Sequence, residues 1–371
     1  LRELAPAMWT IRPRLPNPAP PCPPPMPAEE YDAIVLGAGA AGLMCAGVAG
    51  QRGRRVLVID HSAKAGRKIL ISGGGRCNFT NLGTAPECFL SANPHFARSA
   101  LARYTPGDFC ELVERYRIAW HEKTLGQLFC DGSAAQVVRM LLDECAAGGV
   151  ELALGETIRD VSHGDARFRV AWGTRTASAP ALVVATGGPA IPKIGATGFA
   201  YDLARRFGLK VVEPRPALVP LTLGPEDALF RELAGVAAPV EARVGEGSFR
   251  EAALFTHRGL SGQAILQISS YWRHGGQVRI NFLPDHATGW LREAKRANPR
   301  ALLPKVLAGA LPERLAQALA GRLGLAAELG NQPDARLMAA EAQLAAWSFT
   351  PTGSEGFAKA EVTAGGVSTA E

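Results

Sequence analysis

The residues with the clearest chemistry are three glycines and one carboxylate near the start of the chain. Gly37, Gly39 and Gly42 form a Gly-x-Gly-x-x-Gly pattern, and Asp60 follows about 20 residues later, a spacing typical of dinucleotide sites. Such glycines permit a tight turn and let the backbone approach a pyrophosphate, whose charge is favoured at a helix N-terminus. A carboxylate at Asp60 accepts hydrogen bonds from a ribose 2′-hydroxyl and repels a 2′-phosphate. The pattern predicts a site for FAD or NAD and disfavours NADP.

Two short strands and one helix must position these residues. Residues 33–36 are apolar, residues 55–59 are apolar after Arg55, and both predict buried strands that a helical pattern running to about Gln51 joins. The result is a βαβ unit with an acid at the end of its second strand. An ordinary strand-to-helix turn would explain the glycines alone, but the complete unit favours dinucleotide binding.

A later segment predicts the rest of this domain. Residues 181–185 are apolar and end at Thr186 and Gly187, the kind of position at which ligands of open α/β sheets bind. Before them, alternating residues between 151 and 178 predict three antiparallel strands. A βαβ start, an antiparallel segment and a returning strand together indicate an FAD-binding α/β layout.

A second glycine-rich stretch, AGRKILISGGGRCNFTN at 65–81, predicts a loop that contacts the cofactor. Consecutive glycines disfavour a helix, and the open backbone offers N–H donors to phosphate or to the edge of a flavin ring. The flanking cations Arg67, Lys68 and Arg76 suit phosphate, and Ser72 adds a polar side chain. A flexible surface loop is the alternative. Within this stretch Cys77 could be a redox or nucleophilic thiol if Arg76 lowers its pKa, or simply a small packed residue.

Composition limits the class of protein. With 371 residues, of which 47% are hydrophobic, the chain can form two domains, and no apolar run reaches the length of a membrane helix. The first 28 residues hold ten of the 27 prolines, which predicts a disordered extension and argues against a secretory signal. Seven cysteines without a C-x-x-C predict reduced thiols in a cytoplasm, no zinc site and no dithiol of close sequence neighbours.

The net charge of +6 suits an anionic cofactor. The arginines between 288 and 326 lie in a helical pattern broken by prolines, without interleaved aromatic residues, so we expect a solvated basic face there. The sequence therefore predicts a small-molecule substrate, no nucleic-acid partner and no membrane. His257 and Arg258 lie in a Gly- and Ser-rich turn, where His257 could donate a proton to a substrate or both could serve a structural turn.

Several motifs together resemble the BaiN/RdsA-type NAD(P)/FAD-dependent oxidoreductases of bacteria. They are GAGAAG, GRKILISGGGRCNFTN, ATGG followed by P-x-x-G-x-T-G, LFTHRGLSGQAILQISSYW and VTAGGVS. HEKTLGQLFCDGSA, at 121–134, is similar to a largely uncharacterised flavoprotein branch of that family. The resemblance extends from about residue 31 to the end of the sequence.

This resemblance implies non-covalently bound FAD, a two-dinucleotide-binding-type fold and an inserted second domain. Combined with the motif analysis, it predicts cofactor contacts from Gly37, Ala38, Gly39, Ala41, Gly42, Asp60, Arg67, Lys68, Ser72, Gly73, Gly74, Arg76, Cys77, Thr186 and Gly187. Relatives continue past VTAGGVS with a segment whose acid and glycines close over the flavin, so the sequence as given is expected to be truncated there.

The expected organisation has four parts. Residues 1–28 form the extension, 29–205 the FAD-binding domain, 206–350 an inserted β-rich and helical domain, and 351–371 a return to the FAD domain. The expected activity is hydride exchange between FAD and an organic substrate, with NAD(P)H as a transient reductant, since no second Gly-x-Gly-x-x-Gly follows a strand after Gly188. The weak catalytic candidates are Cys77, His257 and Arg258. A flavoprotein acting on tRNA and a non-catalytic FAD-binding remnant are the alternatives.

Overall fold

The chain contains two structural units. The computed structural model describes residues 28–370, so the predicted extension lies outside the described residues except for Ala28. The first unit comprises the residues up to Glu213 together with those from Gly365, and the second comprises Pro214–Ala364.

The first unit is an α/β structure. Its strands are β1 (Glu29–Glu30), β2 (Ala33–Leu36), β3 (Val56–Asp60), β4 (Asn78–Asn81), β5 (Trp120–Glu122), β6 (Gln127–Cys130), β7 (Glu151–Leu154), β8 (Ile158–Gly164), β9 (Arg167–Trp172), β10 (Arg175–Ala179) and β11 (Ala181–Val184). Its helices are α1 (Ala40–Gln51), α2 (Arg67–Ile71), α3 (Arg98–Arg103), α4 (Pro106–Arg115), α5 (Ala134–Ala147) and α6 (Phe199–Arg206). Capping boxes begin α4 at Thr105 and α5 at Ser133, where the sequence places a hydroxyl before a helical pattern.

A four-stranded parallel sheet forms the centre of the first unit, in the order β11-β2-β3-β7. All four residues of β2 are buried because both faces of this sheet are covered. Val35 faces a core shared with α1 and α5, while Ile34 faces the antiparallel strands through Phe168 and Trp172. The carboxyl ends of β2, β3 and β11 therefore lie at one edge of the sheet, as the βαβ prediction requires.

Two antiparallel sheets complete the first unit. Strands β8, β9 and β10 pair in sequence, and β1 joins β10 in parallel, which confirms the predicted antiparallel segment for residues 158–179. The start of that segment was assigned wrongly, because Glu151–Leu154 pairs with β3 as a parallel strand. A smaller sheet in the order β4-β6-β5 follows the second glycine-rich stretch.

The strand β12 (Val211–Ala217) carries the chain into the second unit. That unit contains β13 (Leu221–Thr222), β14 (Ala237–Val244), β15 (Gly247–Thr256), β16 (Gly259–Ser261), β17 (Val278–Asn281), β18 (Trp347–Phe349) and β19 (Gly353–Ser354). Its helices are α7 (Ala228–Glu232), α8 (Gln263–Ser269), α9 (Trp290–Ala297), α10 (Leu303–Leu307), α11 (Glu313–Leu323) and α12 (Asp334–Ala345). The last strand, β20 (Val362–Val367), returns the chain and pairs with β12.

The second unit has one seven-stranded sheet, in the order β18-β17-β14-β15-β16-β13-β19. Its core includes a cluster of aromatic rings, in which Phe230 lies 4.9 Å from Phe349 and 5.8 Å from Phe255 between centroids. Pro299 lies between α9 and α10 and Pro312 lies between α10 and α11, as the proline positions predict, whereas Pro304 lies in the first turn of α10.

The boundaries between the units differ from those expected at 205/206 and 350/351. Residues 206–213 complete α6 and begin β12 within the first unit. After residue 350 the chain still belongs to the second unit, because β19 pairs with β13 through Gly353 and Thr222. Within residues 28–370 no helix is both long and apolar enough to cross a membrane.

Candidate functional site

A cavity of about 440 Å³ lies in the first unit, at the carboxyl edge of the parallel sheet. Gly37, Ala38 and Gly39 line it after β2, Asp60 lines it after β3, and Thr186 lines it after β11. Three strands thus bring together residues that are far apart in the sequence. This edge is where open α/β sheets bind their ligands.

The three glycines of the first motif have different structural roles. Gly37 has φ of +105°, and a Cβ there would lie 2.6 Å from the carbonyl oxygen of Ala185. A Cβ at Gly42 would overlap the carbonyl oxygen of Gly37, so this glycine lets α1 pack against the turn. A Cβ at Gly39 would have no protein atom within 4 Å. Gly39 therefore lines open space at the start of α1, where a ligand can approach the backbone.

Asp60 holds the turn in place through both oxygens of its carboxylate. The backbone N–H of Ala38 donates to Oδ2 at 2.6 Å, and that of Ser62 donates to Oδ1 at 2.7 Å. His61 lies close by, with Nδ1 3.7 Å from Oδ1. A carboxylate has about four lone-pair sites, so Asp60 keeps acceptor capacity for a ribose hydroxyl while it fixes the loop.

Basic side chains line the cavity close to Asp60 in the sequence. The predicted residues Arg67 and Lys68 are among them, and the structure adds His61 and Lys64. Gly195 lines the same cavity, and a Cβ there would lie 2.6 Å from Nε2 of His61 and 3.4 Å from Nη1 of Arg67. His61, Lys64 and Gly195 were not predicted as site residues, although His61 and Lys64 follow Asp60 closely and Gly195 belongs to P-x-x-G-x-T-G.

The Gly73–Gly75 run forms a turn in which all three residues have positive φ, between 57° and 87°. A Cβ at Gly73 would lie 2.8 Å from the ring of Phe129, so the first glycine is required by packing. Gly73, Gly74 and Arg76 are not among the residues that line the cavity, whereas Ser72 and Cys77 on either side are. The turn thus presents its two flanking residues to the cavity.

Cys77 is buried, with 5% of its surface exposed, and it adopts φ of +53°. Burial raises the pKa of the Cys77 thiol, and a hydrogen bond with Ser72 offsets this only in part. Of the two interpretations of Cys77, the small packed residue agrees with this burial, and a thiol activated by Arg76 does not. The thiol therefore stays protonated at neutral pH and reacts only slowly as a nucleophile.

The cavity residues fit a dinucleotide. Thr186 has a buried Oγ1 without a hydrogen-bond partner among the described residues, and it faces the same cavity as the open backbone at Gly39. A bound molecule with polar groups would satisfy this oxygen. The cradle at the start of α1, the carboxylate of Asp60 and the basic side chains suit the pyrophosphate and ribose of FAD. The other predicted contacts at this edge, Ala41 and Gly187, also line the cavity.

The other catalytic candidates lie in the second unit. His257 and Arg258 form the exposed turn between β15 and β16 and do not line the cavity. Nη1 of Arg258 lies 3.2 Å from Oε2 of Glu355, an ion pair within that unit. This contact gives Arg258 a structural role in the turn.

The fold and the cavity define a Rossmann-type dinucleotide-binding protein. The family model described as HI0933-like protein Rossmann domain matches residues 31–371, and the chain belongs to this family. The resemblance to BaiN/RdsA-type proteins is thereby confirmed. The family consists of FAD-binding oxidoreductases, so the predictions of FAD and of oxidoreductase chemistry hold at this level.

Three curated proteins are similar to this chain over most of its length. The ribosomal RNA dihydrouridine synthase of Escherichia coli (strain K12) is 49% identical, over 92% of this chain and 87% of that protein. The protein of the same name from Haemophilus influenzae is 43% identical, with the same coverage of both chains. The 3-dehydro-bile acid delta(4,6)-reductase of Clostridium scindens is 28% identical, over 91% of this chain and 87% of that protein.

These relatives correct one expectation. The sequence patterns predicted no nucleic-acid partner, and that prediction is wrong, because two relatives above 40% identity are named for a reaction on ribosomal RNA. The error arose from treating the absence of aromatic residues among the arginines at 288–326 as evidence against RNA. Base stacking is only one way of binding RNA, and contacts to its phosphates and 2′-hydroxyls require no such pattern.

Proposed function

We propose that the protein is an FAD-dependent reductase that converts uridine in ribosomal RNA to dihydrouridine. The observation that supports this most strongly is the 49% identity to an Escherichia coli ribosomal RNA dihydrouridine synthase over 92% of the chain. An RNA substrate inside a bacterial cell agrees with the cytoplasmic location that the cysteine pattern predicts.

The names of the relatives describe a common reaction type. In uridine the C5–C6 double bond is conjugated to the C4 carbonyl, and the double bonds of a 3-dehydro-Δ4,6 bile acid are conjugated to its 3-oxo group. Saturating either compound adds a hydride to one carbon and a proton to another. FAD in its reduced form supplies the hydride. The chain must hold the cofactor, orient the conjugated system and provide or admit the proton.

We assign cofactor binding to the residues at the carboxyl edge of the sheet. The N–H groups at the start of α1, beside Gly39, would receive the pyrophosphate, and Asp60 would accept a ribose hydroxyl. Arg67 and Lys68 would balance phosphate charge. Thr186 would use its unpaired Oγ1 on the cofactor. The site would take its shape in part from the backbone at Gly42, Gly73 and Gly74. Arg76, which does not line the cavity, would add positive charge near it.

Among the three catalytic candidates, Cys77 is the one that lines the cavity. Its raised pKa keeps the proton on sulfur at neutral pH, which a proton donor requires. NAD(P)H is proposed as the reductant, because each dihydrouridine consumes two electrons that the RNA does not supply.

The test is an assay on unmodified RNA. Ribosomal RNA transcribed in vitro is incubated with the protein, FAD and either NADH or NADPH, digested to nucleosides, and analysed by mass spectrometry for dihydrouridine. We expect dihydrouridine in the ribosomal transcript and none in a tRNA transcript treated identically. Reduction of FAD without dihydrouridine in ribosomal RNA would refute the proposed substrate, and product in tRNA alone would favour the tRNA alternative. A 3-oxo-Δ4 steroid in a parallel reaction tests the chemistry of the bile acid relative.

A further inference from the structure

Two cysteines that are distant in the sequence lie near each other at one end of the small sheet of the first unit. Asn78 on β4 pairs with Phe129 on β6, and the backbone N–H of Cys130 donates to the carbonyl of Arg76 at 2.9 Å. Since Arg76 and Asn78 flank Cys77, which lies just before β4 with φ of +53°, these two contacts place Cys77 beside Cys130. Paired residues of antiparallel strands, such as Asn78 and Phe129, have Cα atoms about 4.5–5.5 Å apart, and Cys77 and Cys130 are the chain neighbours of that pair, close to the Cα separation of about 4.4–6.8 Å that a disulfide spans.

The two side chains also lie on the same side of the strands. Both belong to the hydrophobic core that packs on α1 and α5, with 5% of Cys77 and 0% of Cys130 exposed. The Cys130 pKa is raised to about 11, mainly by burial and next by the nearby Cys77. The fold therefore brings two thiols close to each other. Because the sequence contains no C-x-x-C, no local pattern predicted this pair.

The two thiols differ in access. Cys77 lines the 440 Å³ cavity, whereas Cys130 does not. A small oxidant that enters the cavity therefore meets Cys77, whereas Cys130 is fully buried. Cys145 provides a contrast within the same core, because it is 1% exposed and its thiol lies 3.3 Å from the carbonyl oxygen of Leu43.

We propose that Cys77 and Cys130 form an oxidative modification site, in which hydroperoxides oxidise Cys77 and Cys130 converts the product to a disulfide. In the first step the sulfur of Cys77 attacks the peroxide, an S–O bond forms, and the O–O bond breaks. Hydrogen peroxide then releases water, and an alkyl hydroperoxide releases an alcohol. In the second step the sulfur of Cys130 displaces the oxygen as water, and an S–S bond forms. Two thiols lose two electrons and two protons, and one peroxide is reduced.

The role of Cys130 is protective. A sulfenic acid without a neighbouring thiol is open to further oxidation to sulfinic acid, which is irreversible for most proteins, whereas a disulfide is reversed by thiols. Burial makes the first step slow at neutral pH, because the thiolate is the reactive form. The cross-link would tie the 72–77 turn to β6 and remove the thiol proton from the cavity wall. Removal of this proton should lower the reductase activity. That effect rests on the proposed function, but the cross-link itself does not.

The test uses the full-length protein and peptide mapping by mass spectrometry. After treatment with hydrogen peroxide and alkylation, we expect linked peptides containing Cys77 and Cys130, lighter by two hydrogens and separated by dithiothreitol. In Cys130→Ala we expect about tenfold more Cys77 carrying two added oxygen atoms than in the wild type. Cys145→Ala, which removes a buried thiol of the same core, should leave the link intact.

Two results would overturn the proposal. One is Cys77 in the wild type reaching the sulfinic acid as readily as in Cys130→Ala, without the disulfide. The other is a Cys77 that stays unmodified at peroxide exposures that oxidise Cys145, a buried thiol that does not line the cavity. If Cys130→Ala does not fold, the mapping of the wild type decides alone. None of these measurements requires FAD or RNA, so a failed dihydrouridine assay leaves them unaffected.

Discussion

Replacing Gly39 with alanine should separate cofactor binding from folding. Gly39 is the N-cap of α1 with φ of −84°, a value that alanine adopts freely, and a Cβ there meets no protein atom within 4 Å. Alanine is a poorer N-cap than glycine, but it also lowers the entropy of the unfolded chain, and each effect amounts to about 0.5–1 kcal/mol. Because they oppose each other, we expect the free energy of unfolding to change by less than about 1 kcal/mol.

Binding should respond much more strongly. The added methyl group occupies the space through which a pyrophosphate would approach the backbone at the start of α1. Forcing an extra methyl group into a filled site costs about 1–3 kcal/mol. At about 1.4 kcal/mol per factor of ten, this corresponds to an FAD Kd raised about 5- to 140-fold.

The assay is a titration of FAD by flavin fluorescence, paired with urea unfolding of the cofactor-free protein. Gly42→Ala is the matched comparison, because the same methyl group there overlaps the carbonyl oxygen of Gly37 and should lower stability itself. An unchanged Kd in a well-folded Gly39→Ala protein would refute the assignment of this backbone to the pyrophosphate. Equal losses of stability in both variants would refute the distinction between the two glycines.

Three further predictions concern carboxylates. Asp60→Asn leaves one of two backbone N–H groups without its acceptor, so it should lower the free energy of unfolding by about 1.5–3 kcal/mol in urea and weaken FAD binding. The control is Asp32→Asn, at an exposed carboxylate that accepts one N–H group, and it should cost less. Equal effects of the two variants would contradict this prediction. Glu341→Gln should destabilise the second unit by about 1.5–3 kcal/mol, because the buried carboxylate of Glu341 accepts two N–H groups at the start of α9. An unchanged midpoint of unfolding would argue against this role. Hydrogen bonds from Tyr31 and Arg175 lower the pKa of Glu151 below 4.5, so its contribution is present above about pH 4.5 and is lost as the pH falls through the lower folded value. Glu151→Gln should weaken this acid dependence of the melting temperature and the exposed Glu87→Gln should not; identical pH profiles would count against the idea.

Local patterns predicted the nucleotide-binding half of the fold well. The βαβ unit depends on residues within about 30 positions of each other, and both the turn at Gly37 and the acid at Asp60 act through nearby backbone groups. The alternation of residues in 158–179 likewise produced the antiparallel strands. Each feature is set by neighbours in the sequence, so a pattern is enough to reveal it.

Features that depend on distant pairing were not predictable. Glu151–Leu154 has an apolar pattern that suits either kind of sheet, and only its pairing with β3 decides the matter. The approach of Cys77 to Cys130 likewise requires the register of β4 against β6. Burial, which reverses the expected pKa shift of Cys77, is a property of the whole core and not of its neighbour Arg76.

The first unit is formed by two separate stretches of the sequence, and this affects the order in which the units are synthesised and the ease with which the inserted unit can be replaced. Its last part, from Gly365, is synthesised only after all of Pro214–Ala364, so the ribosome completes the inserted unit before the nucleotide-binding unit has all its residues. The two points where the insertion leaves and returns are neighbours, because a Cβ at Gly365 would lie 2.6 Å from the carbonyl oxygen of Glu213. An inserted domain whose two ends are adjacent can be replaced by another domain, in evolution or by design, without distorting the domain that carries it.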